Sequence, residues 1–116
     1  MGELEARVMD VLWDTGGWLT PAEVNAGLAG ERELAYTTVM TVLVRLFDKG
    51  VVARQRQGRA WTYRPKLGRE EQAAERMNAL LRDGGDRSVS LARFVDQMSA
   101  KERAQLRRLL DGRRNR

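Results

Sequence analysis

Residues 36–49 put three threonines and an arginine on one side of a helical repeat. With about 100° per residue and Thr38 at zero, Val39, Met40, Val42, Leu43, Val44, Leu46 and Phe47 fall in one arc between about 40° and 240°. Thr37, Thr38, Thr41, Arg45, Asp48 and Lys49 fill the remainder. Threonine is a mediocre helix former, so propensity does not account for three of them. The chemistry on offer is hydrogen bonding. Threonine hydroxyls bond phosphate oxygens and base edges, their methyls touch thymine, and an arginine fork reaches guanine or a phosphate. Threonines also cap a helix start or bond back to its carbonyls, which suits Thr37 or Thr38 better than Thr41. The expectation is that Thr38, Thr41 and Arg45 read bases.

The stretch that follows is all positive. Residues 51–66 hold Arg54, Arg56, Arg59, Arg64 and Lys66 with no acid, while residues 1–50 are net acidic. A cationic hairpin beside a polar helix face fits a polyanion whose phosphates are neutralised one by one. The alternative is a solvated hairpin that lacks acids. Arg54, Arg56, Arg59 and Tyr63 are expected to hold phosphates, together with Tyr36 and Thr37 at the helix start.

What is missing narrows the chemistry further. Of 116 residues with a net charge of +5, none is Cys or His. Disulfide scaffolds, thiolate metal clusters, the commonest metal ligand and the commonest general base are therefore absent. An enzyme would need paired carboxylates in a cleft, and no acid sits in such a context. Catalytic residues, metal and cofactor are all expected to be none. No apolar run approaches the roughly 18 residues of a membrane span. Met1–Glu5 is acidic rather than a basic-then-apolar leader. A cytoplasmic protein without stable membrane association is expected.

The elements that must position these side chains can be read along the chain. Leu4, Val8, Val11 and Leu12 recur at helical spacing, and Thr15-Gly16-Gly17 should stop that helix near Trp13 or Asp14. Trp13 and Trp18 are expected in the core. Thr20-Pro21-Ala22-Glu23 is a capping box for a second helix carrying Val24 and Leu28 and breaking around Gly30. The third helix runs from Tyr36 to Lys49 and stops at Gly50. Strands are predicted at 51–56 and 60–64 around a turn at 57–59, closed by Pro65. Helical stripes then resume: Ala73, Ala74, Met77, Leu80 and Leu81; Leu91, Phe94, Val95 and Met98; and, after a Ser99–Glu102 capping box, Leu106, Leu109 and Leu110, ending near Gly112. Three helices followed by a hairpin is a winged helix-turn-helix pattern, in which the third helix enters the major groove. The fold class is mainly α with a small β-hairpin. The expected division is a winged-helix DNA-binding domain over 1–67 and a helical dimerisation region over 68–116.

Ala35-Tyr36-Thr37-Thr38-Val39-Met40-Thr41-Val42-Leu43, then Arg45-Leu46 and Lys49-Gly50, resemble the recognition helix of the penicillinase-repressor family (BlaI/MecI/CopY). Arg54-Gln55-Arg56-Gln57-Gly58-Arg59-Ala60-Trp61-Thr62-Tyr63-Arg64-Pro65 resembles that family's wing, and Trp13 and the Thr20…Glu23-Val24 element also match. The resemblance is strong over residues 3–66 and looser beyond. It implies a homodimeric transcriptional repressor that occupies a palindromic double-stranded operator, with TACA and TGTA arms, and blocks RNA polymerase. It also implies a membrane sensor protease as a partner in the β-lactam branch, which triggers cleavage at an Asn-Phe bond. The nearest local match is Arg93-Phe94, with arginine in place of asparagine. The cysteine motif of the copper-responsive branch has no counterpart in this chain.

The three C-terminal stripes, with Met77, Leu80, Leu81, Leu91, Phe94, Val95, Met98, Leu106, Leu109 and Leu110, are expected to form the dimer interface. So short a segment can hardly bury them alone. A two-fold interface would present two recognition helices to a palindrome. Two other readings stay open at this point: a ligand-sensing winged-helix regulator of another family, and a winged helix used as a protein–protein adaptor. The adaptor reading predicts no steep salt dependence of nucleic-acid binding.

Overall fold

The computed structural model describes residues 2–28 and 35–114. Its elements are α1 (Glu3–Thr15), α2 (Pro21–Leu28), α3 (Tyr36–Asp48), β1 (Val52–Gln57), β2 (Ala60–Pro65), α4 (Arg69–Asp83), α5 (Arg87–Asp96) and α6 (Ala100–Arg114). The chain divides into two compact units, residues 1–73 and 74–116. The fold is mainly helical with one antiparallel hairpin, a winged helix in its first unit. The expected break near Gly30 lies outside the described residues.

In the first unit, local signals set the helix ends. The Thr20 hydroxyl accepts the Glu23 N–H at 3.2 Å, and the Glu23 carboxylate accepts the Thr20 N–H at 3.1 Å. That reciprocal pair satisfies two donors of a helix start, with Pro21 occupying the first helical position. At the end of α3, Gly50 takes φ 80°, its N–H bonding the Phe47 carbonyl at 3.0 Å while the Val51 N–H bonds Leu46 at 3.2 Å. This is a Schellman turn, and a side chain at Gly50 would be strained there. It aims the chain directly into β1.

The hairpin pairs Val52 with Pro65 through to Gln57 with Ala60. A two-residue turn therefore joins the strands, with Gly58 at φ 64° in its first position, as a type II′ turn requires. A third segment joins the sheet. Leu19 and Tyr63 exchange both backbone hydrogen bonds, at 2.9 and 2.8 Å. The link between α1 and α2 thus braces β2 and lets a short hairpin persist.

The core comprises Val8, Met9 and Leu12 from α1, Leu19, Val24 and Leu28, then Val39, Val42, Leu43 and Leu46 from α3, closed by Val52 and Tyr63. Burial of this size dominates the stability of a small domain. Met9, rather than Val11, is fully buried on α1; Val11 lies at the edge against α2. Trp13 packs partly on the core and donates its indole N–H to the Leu67 carbonyl at 3.0 Å. Trp18 is only half-buried and is not a core residue: its ring carries the Arg64 guanidinium at 4.6 Å. Arg69, at the start of α4, bonds Asp14 at 3.1 Å and Asp10 at 3.3 Å and lies over Trp13. Those contacts strap the segment after the wing onto α1.

The second unit has well-made helix ends but no interior of its own. Asp86 caps α5 by accepting the Val89 N–H at 3.1 Å. Ser99 and Glu102 form the expected box at α6, at 2.9 and 3.1 Å. Helix α6 continues past Gly112 to Arg114. Among residues 74–113 no hydrophobic side chain is buried. Leu81, Val95, Met98 and Leu106 are half-buried, whereas Met77, Leu80, Leu91, Phe94, Leu109 and Leu110 are exposed, Leu80 to 71% and Phe94 to 51%. Met77, Leu80, Leu81, Ser90, Leu91 and Phe94 line an open apolar groove of about 350 Å³. No helix among the described residues is long and apolar enough to cross a membrane.

Candidate nucleic-acid interface

Helix α3 turns its buried stripe of Val39, Val42, Leu43 and Leu46 to the core and leaves the opposite side to solvent. Thr37, Thr41 and Arg45 are exposed together there, Tyr36 stands exposed at the first turn, and Thr38 is half-buried at the margin. Three of the expected residues therefore share one accessible face, with Thr38 at its rim and Tyr36 on a different side of the first turn.

Ala35 is the N-cap, and among the described residues no side chain bonds at the helix start. The threonines are not caps. Back-bonding falls on Thr41, where it was least expected: its hydroxyl donates to the Thr37 carbonyl at 2.9 Å. This leaves the Thr41 oxygen lone pairs and methyl group on offer. Val44, assigned by periodicity to the apolar arc, is 38% exposed. It lies at the edge of that arc, and helical spacing alone does not separate an edge position from the core. Lys49 is drawn away from the face by Glu5 on α1, Nζ to Oε2 2.6 Å.

The wing arranges its cations on rings. Arg54 lies opposite Tyr63 and Arg56 opposite Trp61 in the strand register, so all four share one face of the hairpin. The Arg54 guanidinium carbon is 3.9 Å from the Phe47 ring centroid and 4.4 Å from that of Trp61, and Arg56 is 5.1 Å from Trp61. Cations over aromatic faces at these distances are attracted by the ring quadrupole. Arg59 is exposed in the turn.

One expected contact is corrected. Tyr63 is 1% exposed and belongs to the hydrophobic core, so it cannot grip a phosphate. Its position on the same face as Val52, at the root of the hairpin, puts its ring between the sheet and the helices. Phe47 and Trp61, which are not among the expected site residues, are shelves for wing arginines. The period-two spacing of Arg54 and Arg56 on one strand, with Trp61 on the other, carried that signal.

A family model described as penicillinase repressor matches residues 1–112. The transcriptional regulator BlaI of Mycobacterium tuberculosis is 44% identical over 113 residues, which cover 95% of this chain and 82% of the relative. The solution structure of the DNA binding domain of the repressor BlaI is similar at a TM-score of 0.53 and 27% identity, over 61% of this chain and 85% of that one. The Bacillus licheniformis BlaI monomeric form, solved in solution in complex with the blaP half-operator, is similar at 0.50 and 27%, with the same 61% and 85% coverage. With a winged helix carrying an exposed threonine and arginine face beside a cationic wing, and a family match spanning nearly the whole sequence, the chain belongs to the penicillinase repressor family of transcriptional regulators.

Proposed function

We infer that the protein is a homodimeric repressor that occupies a palindromic promoter operator and excludes RNA polymerase from it. The observation that carries this reading is the joint exposure of Thr37, Thr41 and Arg45 on α3 beside the cationic wing. Helix α3 enters the major groove, where Thr38, Thr41 and Arg45 read base edges. Tyr36, Thr37, Arg54, Arg56 and Arg59 hold phosphates on either side and set the register. A winged helix of this kind in complex with a half-operator, seen for the Bacillus licheniformis relative, supports the assignment.

Residues 1–67 supply the reading head and residues 68–116 the dimer contact. Exposed Met77, Leu80, Leu91, Phe94, Leu109 and Leu110 support a second copy as the partner, since helices with no buried hydrophobic side chain cannot offset their own ordering entropy. Release follows from any signal that loosens this interface, including cutting by a membrane sensor protease. The Arg93–Phe94 bond lies inside α5, so cutting there requires local unfolding of the helix first.

The test is selection of duplexes from a random-sequence pool by the purified protein, followed by affinity measured against salt. A palindromic consensus is expected, with log K falling steeply as log salt rises. Arg56→Ala and Arg59→Ala should weaken selected and mixed-sequence duplexes alike and flatten that slope. No enrichment, or binding indifferent to salt, overturns the reading.

A further inference from the structure

Three elements meet at the side chain of Arg54. It leaves β1 on the same face as the buried Val52, and its guanidinium lies over the rings of Phe47, in the last turn of α3, and Trp61 on β2, at 3.9 and 4.4 Å from the two centroids. Arg56 has one ring at 5.1 Å, and Arg59 none among the described residues. The stacking leaves the donors of Arg54 unused. A guanidinium carries its five N–H groups in its own plane, and a ring met through its π face takes none of them as a conventional acceptor. Among the described residues no acceptor takes them, and the side chain is only half-buried.

We propose that Phe47 and Trp61 are positioning residues that act through Arg54. They hold its guanidinium edge outward at the junction of recognition helix and wing, ready for a duplex phosphate before any DNA arrives. The proposal rests on the DNA-binding reading above. A long side chain that must be ordered on binding gives up much of its contact energy to lost rotamers, and one already fixed does not. Phosphate contact at Arg54 also sets the angle between wing and α3, because the same side chain touches both. Unstacked Arg59 adds charge without that constraint.

A double-mutant cycle tests this. Phe47→Leu, Arg54→Gln and the double variant are measured on a duplex recovered from the random-sequence pool and on a mixed-sequence duplex. Phe47→Leu, which changes no charge, is expected to weaken both duplexes by about five- to tenfold. In the Arg54→Gln background the same change is expected to cost less than about twofold, because its route is gone. Phe47→Tyr, which keeps a ring, should restore wild-type affinity. Thermal melts accompany each variant. If Phe47→Leu unfolds the protein, Trp61→Leu and Trp61→Phe run the same cycle from the other side of the stack. Equal losses from Phe47→Leu or Trp61→Leu with and without Arg54 overturn the proposal while leaving DNA binding intact. A wild-type protein that binds neither duplex overturns the functional reading itself, and the two failures are thus distinguishable.

Discussion

The Thr41 hydroxyl donates its only proton to the Thr37 carbonyl, at 2.9 Å, in the middle of the exposed face of α3. That bond biases what Thr41 offers a base. While that bond holds, the oxygen accepts, which suits the amino groups of adenine or cytosine, and its methyl group suits thymine. Thr41→Val keeps the methyl and removes the acceptor. It should cost about 1–3 kcal/mol on the selected operator and much less on mixed-sequence DNA. Thr41→Ser should retain most of the hydrogen-bonding part. Equal losses on both duplexes for Thr41→Val would demote the residue to a backbone contact. Arg45→Ala should behave as Thr41→Val does, because it extends from the same exposed face.

A close approach in the scaffold gives a stability prediction. A Cβ placed on Gly27 would lie 2.6 Å from Cγ1 of Val11, where α2 crosses α1. Alanine is the better helix former by about 1 kcal/mol. Valine, however, is stiff at χ1 in a helix, and overpacking costs about 1–3 kcal/mol. Gly27→Ala is therefore expected to lower the denaturant midpoint, and Val11→Ala added to it should recover part of the loss. A Gly27→Ala variant more stable than wild type would show that Val11 gives way freely.

How much of this was legible beforehand follows the range of each interaction. The Thr20–Glu23 and Ser99–Glu102 boxes and the Gly50 stop depend on residues within a few positions of one another, and the sequence displays them directly. So does the inner stripe of α3. The burial of Tyr63 escapes a local reading because it depends on pairing with Leu19, 44 positions earlier, and no local spacing encodes that pairing. Size alone points Trp18 to the core, yet it forms a shelf for Arg64 from another element. The Phe47–Arg54–Trp61 stack spans three elements and needs the hairpin register before it can be seen. For the candidate interface, the face was readable and the supports beneath it were not.

The start of α6 should titrate with pH. Hydrogen bonds from the backbone N–H and side chain of Ser99 hold the Glu102 carboxyl below its ordinary value. A carboxylate with a depressed folded value adds stability above its unfolded value, and that stability is lost as pH falls through the folded one. The capping box should therefore open at acid pH, seen as faster amide exchange in the first turn of α6. In Glu102→Gln that acid-dependent change should vanish. A carboxyl titration of Glu102 at or above that of an unstructured glutamate would contradict the capping account.

The apolar faces of the second unit tie control to assembly. Phe94 is half exposed and Leu110 more than half, on helices with no buried hydrophobic residue of their own. A charge placed on such a face is tolerated in a monomer, because water already reaches it, but is costly at a desolvated interface between copies. Phe94→Asp and Leu110→Asp are therefore expected to leave helix content and the winged-helix melting nearly unchanged while converting a dimer to a monomer. Operator affinity should then fall far more than affinity for an isolated half-site. The reason is that a palindrome rewards two reading heads only when they arrive joined. Sedimentation alongside binding measures both quantities. A wild-type protein that sediments as a monomer at micromolar concentration, yet occupies a palindrome tightly at nanomolar concentration, would sink the link between dimerisation and repression.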